Sequence, residues 1–406
     1  MEMLMKLKNK LVFLTGLSLL SQSVSAVPFT FEGRSLGMGG ASTATADLAT
    51  AVWANPAMLT NQRPDDDFSL LIGLGAFARD NDDLVTDIND FQDANDRLTA
   101  AENAGDAAGA TAALQDMSNA ILSTADKDIA ADVSGVMAFG IAFDSFAMAF
   151  GVRADAIGAG TVTDTSCVLG DTGCDPVTFR AQATSDQYNI LNVEGVLATE
   201  FGVAFAKDFQ VFNRKLSVGI KPKLVDLQAF TYRDAILNIS GTGDVLNSDN
   251  RLDLGTFTSV DLGLAADISE SFRLGLNVRN LLTDTFDLKG QTLNFDTNAR
   301  LGIAYHSSLL TVAVDYDLTE NKPLLANSNF DDLKTRYLMA GIELNAFDYV
   351  QFRAGAAKNV ASGVSGSAGD TTLSAGLGFW LGFNLDLAAT YRNGAVGGFL
   401  QTGFRF

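Results

Sequence analysis

The chain has 406 residues, 47% of them apolar, with 38 glycines, 6 prolines, 2 cysteines and 1 histidine. Its formal net charge of −20 excludes direct nucleic-acid binding, which needs clustered Lys and Arg to meet phosphates. So few Cys and His leave a structural zinc site without ligands, and nothing in the sequence calls for a metal or other cofactor.

Lys6, Lys8 and Lys10 precede an apolar run over 11–20, and Val24-Ser25-Ala26 follows as a small-residue cleavage site. This is the pattern of a secretory signal peptide over residues 1–26, so the mature chain is expected to begin near Val27. No later segment carries the roughly 18 uninterrupted apolar residues of a membrane helix.

Residues 27–64 do not alternate like a strand. They are small and punctuated by Gly37, Gly39 and Gly40, which suits a compact hatch threaded through a confined space. Asn55, Pro56 and Ala57 read as a helix N-cap with proline at the first helical position. A dinucleotide loop at Gly37 and Gly39 is rejected, because no strand precedes it and the third glycine is absent.

From residue 65 to 406 the pattern becomes period-2. Fourteen amphipathic strands are expected, as in Phe272–Arg279 and Ala299–His306, where one face is apolar and the other polar or glycine. Connections alternate between long ones near 79–130, 159–187, 227–255, 282–294, 319–334, 360–370 and 392–398 and short ones between them. A soluble sheet also alternates, but a strict long-short rhythm belongs to an outer-membrane barrel with long extracellular loops and short periplasmic turns. The first long connection, 79–130, carries 13 acids and 2 bases from Asp80 to Asp132. Leu84, Ile88, Phe91, Asn95 and Leu98, then Leu114, Met117, Ile121 and Leu122, predict two short helices there. Cys167 and Cys174 are expected to form a small loop-closing disulfide in an exported protein. Gly158 and Gly160 mark a place where strand pairing is expected to break and open a lateral gate.

At the C-terminus Leu400, Thr402, Phe404 and Phe406 share one strand face, and Gln401, Gly403 and Arg405 the other. An aromatic end of this kind fits the closing strand of a barrel. Phe404 and Phe406 are read as the signal to the barrel-assembly machinery, with outer-membrane lipid the expected surroundings. Arg153, Asp155, Arg273, Arg279, Arg300 and Arg353 fall on the lumen face, where charges are expected to pair across the interior. His306 and Ser308 stand two apart, as in an outer-membrane phospholipase. His306 however falls on the lumen face beside a turn, so the chain is read as no enzyme.

The stretch Gly33-Arg34-Ser35-Leu36-Gly37-Met38-Gly39-Gly40, then Asn55-Pro56-Ala57, Asp66-Asp67-Phe68 and Ile88-Asn89-Asp90-Phe91-Gln92-Asp93 resembles the long-chain fatty-acid transporter (FadL-like) superfamily. Within it the chain is most similar to the family of plasmid conjugal transfer protein TraF. These motifs cover about residues 31–98. The resemblance implies an all-β fold: a transmembrane antiparallel barrel of about fourteen strands with an N-terminal hatch, in the outer membrane of a Gram-negative bacterium. It implies passive uptake of a hydrophobic ligand, or else an accessory or structural part in plasmid transfer or surface assembly with conjugation-system proteins as partners.

Overall fold

The computed structural model of the chain describes residues 32–62, 67–80, 83–125, 127–239, 251–288, 291–321, 334–346, 349–362, 371–392 and 395–406. The expected signal peptide, 1–26, lies outside these residues. Strands run in chain order as β1 (Phe68–Asp80), β2 (Asp128–Ala142), β3 (Ala147–Thr163), β4 (Ile190–Val211), β5 (Arg214–Ala235), β6 (Arg251–Asp267) and β7 (Phe272–Arg279). A hairpin of β8 (Asp284–Leu288) and β9 (Gln291–Phe295) follows. Then come β10 (Asn298–His306), β11 (Leu310–Asp317), β12 (Tyr337–Ala346), β13 (Val350–Asn359), β14 (Thr371–Trp380), β15 (Asn384–Arg392) and β16 (Ala395–Arg405).

All but the β8–β9 pair close into one antiparallel barrel of fourteen strands. Closure runs from Ser69↔Arg405 to Ala78↔Val396 between β1 and β16. Period-2 alternation sorts the side chains. Ile72 and Leu74 of β1, Met137 of β2 and Leu301 and Ile303 of β10 face outward and are exposed, while Asp132, Arg153, Lys221 and Arg300 face inward and are buried. An apolar exterior around a polar interior inverts the soluble arrangement and is that of an outer-membrane barrel. Among the described residues no helix is long and apolar enough to cross a membrane.

The barrel has a turn end and a loop end. At the loop end the acidic insertion forms α-helices Leu84–Ala104 and Ala107–Ser123, of 21 and 17 residues and so longer than the spacing predicts. Leu84, Ile88, Phe91, Leu98, Leu114, Met117 and Ile121 are buried as expected, with Ala94 taking the inward place read for Asn95, whereas Leu122 points to solvent. Their apolar faces pack with Phe179, Phe230, Tyr232 and Ile236, so the pair caps this end. The disulfide Cys167–Cys174 forms, and a helix Pro176–Ala183 follows it. The Thr178 and Val177 amides donate to Asp175 and hold its carboxyl below the usual range.

Two expectations fail. The connection read at 392–398 is short, because β15 and β16 pair up to Arg392↔Ala395. Gly397 and Gly398 lie within β16, and Gly397 makes room for the Phe77 ring rather than a turn. Pairing also continues unbroken past Gly158 and Gly160 on both sides of β3. Gly158 and Gly195 instead accommodate the Phe230 ring.

Candidate functional site: the barrel interior

Residues 32–62 fill the barrel near its turn end. Helices Gly33–Gly37 and Ala51–Ala54 and a 3-10 helix, Pro56–Thr60, make up this hatch. Asn55 caps the last with its side chain, as the Asn-Pro pair predicts, although the helix is 3-10 rather than α. Asn55 also donates to the carbonyls of Thr43 at 2.9 Å and Leu264 at 3.1 Å, tying two hatch segments to the β6 wall.

The wall receives the hatch through glycines. A Cβ at Gly219 would lie 2.3 Å from the Ala57 nitrogen, and one at Gly263 2.1 Å from Asn55 Oδ1. One at Gly355 would lie 2.2 Å from the Gly39 nitrogen, and one at Gly341 2.3 Å from the Met38 carbonyl oxygen. These approaches leave no space for a side chain. Gly39 itself, at φ +69°, sits within 2.8 Å of wall backbone by the same measure. Gly37 meets the Gly376 backbone, and Gly40 continues the left-handed turn at φ 90°.

The lumen charges sort into separate groups. Arg34 of the hatch donates from Nε and Nη2 to both oxygens of Glu343, at 2.8 Å each. Arg353 bridges Glu343 at 2.7 Å and Asp386 at 2.5 Å. Asp315 accepts from the Ser42 and Thr43 amides, both at 2.9 Å, and from the Thr43 hydroxyl. Arg300 pairs with Asp317 at 2.6 Å, and Arg273 with Asp267 at 2.6 Å near the turns. Above the hatch, Arg153 pairs with Asp155, while Lys221, Lys223 and Arg279 surround Glu200 and Asp261. The Lys221 ammonium also lies 4.6 Å from the Trp53 ring centre of the hatch. At the hatch entry, burial pushes the Glu32 carboxyl up to about 7 against the pull of Arg34.

The interior is therefore layered. Between the hatch and the turns lies a polar cavity of about 270 Å³ lined by Glu32, Arg34, Asp47, His306, Glu343 and Arg353 among others. Above the hatch comes the charged belt. Above that, Ile157, Val196, Val225, Leu227, Phe257 and Phe295 pack into a buried apolar cluster beneath the helical cap. Phe404 and Phe406 stand on the outer surface, exposed, with Phe406 bonded through its backbone to Phe68.

Neither the wall glycines nor one wall defect follows from alternation alone. Between β4 and β5, pairing passes from Gly202↔Lys223 to Phe205↔Ile220, leaving Val203 and Ala204 without partners on β5. Pro222 sits at this gap and has no N–H to give a ladder. Both residues remain paired with β3, and Pro222 with β6, so the interruption is confined to one seam. The signal was a proline inside an alternating run.

The sequence model of the family described as "F plasmid transfer operon, TraF, protein" matches residues 52–317, about two thirds of the chain. No curated protein matches by sequence. A mutant of the monoaromatic hydrocarbon channel TodX superposes with a TM-score of 0.54 at 12% identity, over 93% of this chain and 99% of that one. The toluene transporter TodX of P. putida gives 0.53 at 10% identity, over 93% and 98%. The monoaromatic hydrocarbon channel CymD gives 0.50 at 13%, over 93% and 97%. At such identities the likeness is one of fold alone.

Proposed function

The chain belongs to the family of F plasmid transfer operon TraF proteins, and from the channel fold and the apolar cluster of the upper lumen we propose passive uptake of a hydrophobic small molecule across the outer membrane. The observation that carries this reading is the apolar cluster of Val196, Val225, Leu227, Phe257 and Phe295 inside a closed barrel. A pore for polar solutes gains nothing from such a lining, whereas a hydrophobic solute is drawn out of water by it.

The loop end faces outside and the turn end the periplasm. A ligand enters past the helical cap and is received by the apolar cluster beneath it. The charged belt and the hatch below oppose a straight path, since desolvated ion pairs do not make way cheaply for an apolar solute. The Pro222 seam, at the level of Lys221 and Trp53, interrupts the β4–β5 ladder and serves as the lateral way out. Uptake of labelled monoaromatic hydrocarbon or long-chain fatty acid into a deletion strain, with and without the restored gene, tests the proposal. Equal uptake in both strains defeats it.

The family's description favours a second reading, an accessory role in plasmid transfer. That role predicts a mating defect on deletion with hydrocarbon and fatty-acid uptake unchanged.

A further inference from the structure

At the turn end β4 outruns β3, while β5 stays paired with β6 as far as Leu216↔Ala266. The last residue of β4 paired with β3 is Ala206, opposite Ala147, yet β4 continues to Val211 and turns back at Arg214. These five further residues project roughly 16 Å along the strand. The outward row of β4 runs Phe201, Phe205, Lys207, Phe209, Val211, and Arg214 and Leu216 face outward beside it. At the tip Phe212 is 97% exposed, more than any other large apolar side chain among the described residues.

The tip has an unusual composition. Phe212 and Asn213 both have positive φ, 48° and 60°, in a two-residue turn. Such turns favour Asn and Gly, and a bulky side chain at positive φ is strained. A fully exposed aromatic in a strained position does nothing for folding. Lys207 lies over the Phe209 ring at 5.8 Å, interleaving charge with aromatic surface. The patch continues the lipid-facing row without a break, and its outward charges, Lys207 and Arg214, are both basic.

We propose that the tip of the β4–β5 hairpin anchors the barrel in the periplasmic leaflet, with Phe209, Val211 and Phe212 entering the headgroup boundary and Lys207 and Arg214 holding the phosphates of anionic phospholipid. Aromatic rings and basic side chains are the pair of residue types that settle at a membrane interface. A periplasmic protein partner is disfavoured, because the apolar row belongs to the lipid-facing side of the wall. The inference rests on the outer-membrane placement and not on the transported molecule.

The test is a single environment-sensitive dye at Asn213→Cys, possible because no free cysteine exists among the described residues. The full chain is refolded into phosphatidylcholine vesicles with or without phosphatidylglycerol, carrying nitroxide-labelled lipid. A dye at Leu224→Cys, mid-wall and outward, is the control. The expected result is a blue-shifted dye at 213, quenched about threefold by headgroup-proximal nitroxide, as interfacial residence requires. Phe212→Ser should abolish this quenching, and Lys207→Gln with Arg214→Gln should remove its preference for phosphatidylglycerol. A water-like, unquenched dye at 213 beside a quenched control overturns the anchor and leaves the membrane placement standing. If neither dye is quenched, the placement fails and the anchor with it. A dye at 213 shielded only after addition of periplasmic extract assigns the tip to a protein and overturns the lipid proposal.

Discussion

Replacing Gly355 by Ala should loosen the hatch while sparing the barrel. The added methyl would lie 2.2 Å from both the Gly39 nitrogen and the Met38 carbonyl carbon. Non-bonded carbons rest at about 3.5–4.0 Å, so the hatch must retreat by more than an ångström. Its backbone there has little freedom, because the Gly39 amide donates to Ser374 Oγ at 2.9 Å and Met38 is wholly buried. Overpacking costs about 1–3 kcal/mol and the lost hydrogen bond about 1 kcal/mol. The sum, about 2–4 kcal/mol, shifts hatch docking by about 30- to 1000-fold. The assay is proteolysis of residues 32–62 in refolded protein whose unboiled gel mobility stays that of a folded barrel. Gly135→Ala is the control, since its methyl meets only Leu74 Cδ2 at 3.4 Å. If the Gly355→Ala hatch resists protease as well as that of Gly135→Ala, the steric argument is wrong.

Pro222→Val should restore the β4–β5 ladder and slow uptake of a labelled hydrophobic compound severalfold at unchanged expression; faster or equal uptake would count against the seam as an exit. Arg353→Ala leaves Glu343 and Asp386 short of their partner in a buried setting, and should cost about 3–5 kcal/mol in urea-unfolding midpoint measurements. Glu32 binds its proton more tightly inside the hatch than in water, so the contribution it makes is present at low pH and lost as pH rises from about 4.5 through 7. Hatch proteolysis should thus quicken between pH 5 and pH 8 (both about) in the wild type and stay flat in Glu32→Gln. Cys167→Ser should expose the 164–189 loop to protease and leave barrel mobility unchanged, because the bond closes only a short loop in the cap, worth about 2–3 kcal/mol.

Alternation made the barrel legible. It assigned Arg153, Arg300 and Arg353 to the lumen because a strand has only two faces, and small residues around Asn55-Pro56-Ala57 marked the hatch. What alternation lacks is height. Nothing local says that Arg353 brackets the hatch with Glu343 while Arg153 stands above it with Asp155, since those partners come from strands whose stagger is set by the whole closed sheet. The glycines misled for a related reason. Gly158 and Gly160 read as weak points because a glycine weakens a strand, yet Phe230 and the paired strands fill the space beside them. Gly219, Gly263, Gly341 and Gly355 have the same local look and serve another purpose, close approach of a second backbone. The break fell at Pro222, where a missing N–H is a chemical fact independent of packing.

Conductance measures the central claim, a closed barrel plugged by its own leading segment. Single-channel recordings of the full protein and of a variant lacking residues 32–61 should differ sharply, with steady large steps appearing only on deletion. Equal, small conductance in both would place that segment outside the lumen and contradict the account.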